Sequence, residues 1–123
     1  MGSEMCIRDR IVPSIATITV CVRVAMDGTD AGAQARRQAV RAAHIARVGP
    51  MAAQGIVTLG GAIVDEAGAM RGSIAVTRHA SDDAARAWMA EDPYVTGGVW
   101  QDIALHGTRF APLPYRALPG AAG

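Results

Sequence analysis

The sequence predicts an α+β fold of the ferredoxin-like class, a βαββαβ sandwich with an antiparallel sheet and two helices on one face. Four stretches rich in apolar and β-branched residues and two helical stretches follow one another in the order strand, helix, strand, strand, helix, strand. The segment Asp65-Glu66-Ala67-Gly68 is typical of a tight hairpin turn between the two middle strands. Two right-handed crossovers on one sheet then place both helices on the same side.

The four strands are predicted at about 15–25, 56–64, 70–77 and 99–107. Alternation assigns one set of side chains to the core side, beneath the helices: Ile18, Val20, Val22, Val24, Ile74, Val76, Ile103 and Leu105. The other face, which no helix covers, is then small and partly polar: Thr17, Thr19, Cys21, Ser73, Ala75, Thr77, Asp102, Ala104 and His106. A face of this mixed character predicts either a partner subunit, giving a homodimer, or a ligand cavity.

The first helix is predicted from about Ala33 to Gln54, and Gly49-Pro50 is expected to kink or split it. The second helix is expected to begin after Ser81, which caps it, and to end at Asp92-Pro93, since proline bars further helix. The buried stripe of the first helix is expected to comprise Val40, Ile45, Val48 and Ala52.

Composition excludes several classes of function. The chain has 123 residues, 50% of them hydrophobic, and a net charge of +1, which gives no reason to expect nucleic acid or an anionic membrane as partner. No apolar run reaches the roughly 20 residues of a membrane span. Cys6 and Cys21 have neither metal-site nor redox spacing. A disulfide between them is compatible with the sequence, but a reducing cytoplasm is the simpler interpretation.

The amino-terminal segment has its own character. Arg8 and Arg10 precede an apolar run over residues 11–22, which loosely resembles a secretory signal. The run alternates with threonine, and Arg23 falls where small residues should precede cleavage, so a signal is disfavoured. We expect residues 1–13 to be a leader outside the domain, an artefact or tag, residues 14–110 to form the domain, and residues 111–123 to be a tail rich in proline, alanine and glycine.

The candidate chemistry rests on His44 and Asp92. Arg41, His44 and Val48 share one side of the first helix, and Asp92 stands where the second helix breaks at proline. As a pair, the carboxylate would fix the imidazole tautomer and leave the other ring nitrogen as a base. Each residue also has an ordinary interpretation, His44 as a half-buried histidine and Asp92 as a turn aspartate.

Other chemistries lack support in the sequence. Three scattered histidines and no Cys or Asp/Glu cluster predict no metal site, and no motif calls for a cofactor. No serine or cysteine stands in a nucleophile motif. His79 and His106 are interpreted as bystanders.

Two motifs together resemble the YCII-related (YciI-like) family. They are Arg41-Ala42-Ala43-His44-Ile45-Ala46 and Glu91-Asp92-Pro93-Tyr94-Val95 with Gly98-Val99-Trp100, separated by a glycine-rich hairpin. The resemblance covers about residues 15–110 and implies a dimeric α+β barrel with an active site built on a histidine–aspartate pair, here His44 and Asp92. One branch of the family is associated with removal of chloride from chlorinated hydroxyquinones. Members usually have an unbroken first helix, and Gly49-Pro50 departs from that pattern.

These observations lead to a functional hypothesis of a small cytoplasmic enzyme. His44 and Asp92 would perform acid–base chemistry on a small organic molecule, by elimination, dehydrohalogenation or isomerisation, without a cofactor. Arg41 and Tyr94 are candidate substrate-binding residues, with a solvated arginine and a packed tyrosine as the ordinary interpretations. The alternative is a homodimeric module of the same fold that binds a small ligand or serves as an accessory without catalysis.

Overall fold

Four antiparallel strands and three helices make up the computed structural model, which describes residues 19–118. The elements are β1 (Thr19–Asp27), α1 (Ala33–Ala53), β2 (Val57–Val64), β3 (Met70–His79), α2 (Asp82–Ala90), α3 (Pro93–Thr96) and β4 (Trp100–Thr108). The sheet order is β2-β3-β1-β4, with all neighbours antiparallel. This order is that of a ferredoxin-like sandwich, so the predicted α+β fold class is confirmed.

The predicted strands and long helices agree with the structure within a few residues. The leader predicted at 1–13, and the predicted start of the first strand at 15–18, lie outside the described residues. Residues 109–118 form neither helix nor strand. None of the helices in the described part is long and apolar enough to cross a membrane.

The predicted faces of β1 and β3 are reversed in the structure. Cys21 packs with Ala85 of α2, and Ala25 packs with Tyr94, so these side chains of β1 lie beneath the helices. Pairing puts Ala75 beside Arg23 and Thr77 beside Cys21 on the same side. The prediction was correct only for β4, where Ile103 and Leu105 pack toward the helices.

The sheet face opposite the described helices is therefore more apolar than predicted, although Asp102 and His106 of β4 do lie on it as expected, together with Arg78 of β3. Strand pairing across β2, β3, β1 and β4 puts these side chains together on it: Val20, Val22, Val24, Met26, Leu59, Ile63, Ile74, Val76 and Ala104. Most of them are only partly buried. The polar side is buried instead because Asp27 and Ser73 both accept hydrogen bonds from Arg37 of α1.

Helix α1 runs without interruption through Gly49-Pro50, so the expected split was wrong. Pro50 stands in the last turn, where it deprives only the carbonyl of Ala46 of a donor, and both residues are exposed to water. The expected stripe also differs: Ile45 is exposed, whereas Ala33 and Arg37 are buried. Compared with the expected stripe, the buried side of α1 is thus shifted around the helix toward Arg37.

The second helix ends as predicted, but Pro93 does not end helical structure. Ser81 caps α2 by accepting a hydrogen bond from the Ala84 backbone N–H at 3.0 Å. After Glu91, Asp92 becomes the N-cap of the single-turn helix α3, and Pro93 occupies its first position. Proline is well suited to that position because its missing N–H would have no partner there. This short helix brings Asp92 against α1.

Candidate active site

A histidine–aspartate pair joins the two predicted residues. The Nδ1 atom of His44, on α1, lies 2.8 Å from one carboxylate oxygen of Asp92 and 3.0 Å from the other. Asp92 is fully buried, and the His44 side chain is 12% exposed. An ionised carboxylate only accepts hydrogen bonds, so Nδ1 must carry the proton. In the neutral ring, Nε2 is then free to accept a proton.

The Asp92 carboxylate receives several donors at once. Arg47 donates from Nη1 at 3.2 Å, and the Tyr94 backbone N–H donates at 2.9 Å as the cap of α3. Burial raises the pKa of Asp92, but the hydrogen bonds from His44 and from Tyr94 outweigh it and hold that pKa below its usual value. The carboxylate is therefore ionised at neutral pH and is fixed in position by its partners.

Tyr94 supports the imidazole ring. Its ring stacks on His44 with centroids 4.1 Å apart and an interplanar angle of 18°. Burial raises the pKa of the Tyr94 phenol, against the opposing influence of the Arg37 and Arg41 charges. The phenol accordingly stays protonated at neutral pH. Trp100 meets both rings edge-on, so the imidazole is held from several sides.

A cavity of about 380 Å³ lies between α1 and the sheet and is lined in part by His44. This volume is within the usual range for sites that bind small molecules. Arg41 and Tyr94 also line it, so three of the four predicted site residues share one cavity. The apolar part of the lining includes Ile45, Val48, Val57 and Ala75. Three residues of the expected core stripe, Ile45, Val48 and Ala52, thus line the cavity.

Two buried arginines, which the sequence reasoning missed, also line this cavity. Arg37 is 3% exposed and donates to Asp27 at 2.9 Å and to Ser73 at 3.0 Å. Arg23 is 4% exposed, and its Cζ lies 4.1 Å from the centroid of the Trp100 ring. Burial lowers the pKa of Arg23 to about 10, partly offset by the charge of Asp92, so the guanidinium remains cationic at neutral pH.

Arg47 was also missed. It pairs with Asp92, with its Nη1 atom 3.2 Å from a carboxylate oxygen. Residues 37, 41, 44 and 47 are spaced by four, three and three positions along α1, which puts them on one side of a helix. That spacing was the available signal. The spacing alone does not predict that these arginines are buried, because arginines on a helix are usually solvated.

The remaining histidines take no part in this site. His79 packs near Trp88 and has a pKa lowered by burial, while His106 lies exposed on β4. Among residues 19–118, no group of three or more His, Cys, Asp or Glu side chains could hold a metal ion.

Comparison with known proteins identifies the family. The model of the YCII-related domain matches residues 20–107, and the chain belongs to this family. A search among curated protein sequences gives no match. The fold is similar to that of 5-chloro-2-hydroxyhydroquinone dehydrochlorinase (TftG) from Burkholderia phenoliruptrix AC1100, solved in complex with 2,5-dihydroxybenzoquinone. The TM-score is 0.62 at 20% identity, over 75% of this chain and 93% of that chain.

Proposed function

We propose that this protein is an acid–base enzyme that acts on a small organic molecule, with His44 as the base and Asp92 as the residue that orients it. The observation that carries the proposal is the hydrogen bond of 2.8 Å from His44 Nδ1 to a fully buried carboxylate, beside a cavity of about 380 Å³. The histidine reaches the cavity and the aspartate does not, as expected if the aspartate acts through the ring.

The proposed reaction begins with transfer of a proton from carbon to Nε2 of His44. The C–H electron pair forms a double bond to the adjacent carbonyl carbon, and the carbonyl oxygen becomes an enolate. In an elimination, the carbonyl re-forms, the displaced pair makes a new carbon–carbon double bond, and a leaving group such as chloride departs with its bonding electrons. In an isomerisation, the imidazolium instead returns the proton to another carbon. Asp92 stabilises the imidazolium throughout.

The dehydrochlorinase of similar fold favours elimination among these reactions. Its substrate class, a chlorinated hydroxyquinol, and its bound hydroxyquinone are compatible in size with the cavity. At 20% identity the similarity supports a shared fold.

A screen of substrates tests the proposal. The purified protein is incubated with chlorinated hydroxyquinols and with enolisable carbonyl compounds, while chloride release and uptake of solvent deuterium are measured. We expect turnover of at least one compound, lowered about 100-fold or more in His44→Ala because general-base catalysis contributes that much. Arg71→Met serves as control, since Arg71 pairs with Asp65 at the surface. Equal rates for the parent and His44→Ala would contradict the proposal.

A second candidate function is a module that binds a small ligand without catalysis. The observation favouring it is that Asp92 also pairs with Arg47 and caps α3, which would give the carboxylate a structural purpose by itself. Compounds from the screen that raise the melting temperature without being transformed would support this candidate.

We also propose that the chain forms a homodimer through its uncovered sheet face. The apolar side chains on that face, such as Val22, Val24 and Ile74, would otherwise stand in water. A contiguous apolar surface of this kind marks an interaction site in soluble proteins. A second copy of the same sheet would cover it by two-fold symmetry, as in dimeric α+β barrels.

A further inference from the structure

The Arg23 side chain is a buried cation that is attracted by the charge of Asp92 but makes no ion pair within residues 19–118. Its Nε and Nη1 atoms are buried and have no hydrogen-bond partner among residues 19–118. No ion pair of Arg23 occurs within that range either, because Asp27 pairs with Arg37 and Asp92 pairs with Arg47. A buried unpaired charge is costly, and stacking on Trp100 offsets only part of that cost.

The surroundings of Arg23 point to a ligand rather than to a structural role. Arg23 lines the same cavity as His44, and both residues contact Trp100. Arginines supply the charged groups of this lining, and no carboxylate belongs to it among the described residues. The Arg37 charge is already balanced by Asp27, which leaves Arg23 as the buried cation available among the described residues of the lining.

We infer that Arg23 binds the anionic oxygen of the ligand, so that the cavity takes a small, flat organic anion such as a phenolate, an enolate or an aromatic carboxylate. The guanidinium offers N–H groups that no residue in the described range uses, and such groups bind oxyanions through charge-assisted hydrogen bonds. The apolar lining from Ile45, Val48 and Val57 suits the hydrocarbon part of the same molecule.

This inference rests on the proposed function and adds the substrate class to it. When His44 removes a proton, the electron pair moves onto an oxygen, and Arg23 would hold that oxygen. The positive charge is fixed in the cavity before the reaction, so it favours the enolate without reorganisation of water.

Binding of benzoate, with benzamide as its uncharged counterpart, tests the inference without knowledge of the substrate. Calorimetric titration of the parent should give tighter binding of benzoate than of benzamide. We expect Arg23→Met to weaken benzoate binding about tenfold or more, as loss of a hydrogen bond to a charged group implies. Arg71→Met, which removes a surface charge, should bind as the parent does. Equal benzoate affinity in Arg23→Met and the parent, or no preference over benzamide, would overturn the inference.

Stability measurements distinguish anion binding from a structural role. Because Arg23 makes no ion pair within residues 19–118, Arg23→Met and the polar variant Arg23→Gln should melt at or above the temperature of the parent. Failure of both variants to fold would contradict the inference, since it would make the guanidinium a structural requirement.

The two proposals can fail separately. If His44→Ala abolishes turnover while Arg23→Met retains the parent kcat and KM, the inference fails and the proposed reaction stands. If Arg23→Met loses benzoate while His44→Ala turns over a substrate at the parent rate, the anion site stands and the proposed base is wrong.

Discussion

Replacing Asp92 by asparagine should destabilise the protein and change the tautomer of His44. The three groups that contact this carboxylate, His44 Nδ1, Arg47 Nη1 and the Tyr94 N–H, all act as donors. An asparagine offers one oxygen and one NH2 group, so its NH2 must face at least one donor. The imidazole can accept from that NH2 at Nδ1 by moving its proton to Nε2, which removes the base from the cavity, but either Arg47 or the Tyr94 N–H still loses its acceptor.

The expected loss of stability is about 3 kcal/mol. Breaking a buried ion pair costs about 3–5 kcal/mol, and the lower end applies because Arg47 is 17% exposed and also donates to the Trp88 carbonyl. For a domain of this size, that loss lowers the melting temperature by roughly 10–20 °C. Urea unfolding at pH 7 and fixed protein concentration measures it.

Glu91→Gln is the matched control for this prediction. Glu91 adjoins Asp92 and is 3.9 Å from the same Arg47, but its side chain is 78% exposed. Its loss should change stability by less than about 1 kcal/mol. If Asp92→Asn unfolded at the same urea concentration as Glu91→Gln, the claim that the buried Asp92 ion pair stabilises the fold would be refuted.

Light scattering should give twice the chain mass for the parent. The variant Val22→Arg, which puts a charge on the uncovered face, should give the mass of a monomer. A monomeric parent would contradict the proposed dimer. The free energy of unfolding should fall as the pH drops below about 4. The pKa values of Asp92 and Asp65 are lower in the folded state than in the unfolded state. The two carboxylates therefore stabilise the fold above their unfolded pKa values, and this stabilisation is lost as the pH falls through their folded pKa values. The free energy of unfolding, measured with urea at several acidic pH values, should fall less steeply with pH in Asp92→Asn than in the parent. The same slope in both proteins would show that Asp92 does not cause the loss. Gly72→Ala should lose about 1–3 kcal/mol in the same assay, because its Cβ would lie 2.5 Å from the Ala25 carbonyl oxygen. Gly61→Ala, on the same face with nothing within 4 Å, should stay near the parent, and equal effects would refute the steric argument.

The element order could be predicted from the sequence because alternation, turn residues and caps act locally. Ser81 and Gly68 marked a helix start and a turn, and both behave as expected. The faces of β1 could not be predicted in the same way. Alternation separates the two sides of a strand, but it does not tell which of them packs against the helices.

The candidate site was predicted in part. The resemblance to the family supplied His44 and Asp92, and the structure brings them within hydrogen-bonding distance. The arginines escaped prediction because a charged residue on a strand or helix is normally solvated, and its burial depends on partners distant in sequence. Arg37 illustrates this, since its partners Asp27 and Ser73 belong to two different strands.

We expect Asp92 to hold the neutral His44 ring with Nδ1 protonated, which leaves Nε2 as the base beside the cavity. Nitrogen-15 NMR of histidine-labelled protein measures this directly, because the two tautomers of the neutral ring have different ring-nitrogen shifts. Our prediction is that neutral His44 is protonated at Nδ1 in the parent and at Nε2 in Asp92→Asn. A parent ring protonated at Nε2, or a tautomer unchanged by Asp92→Asn, would contradict it.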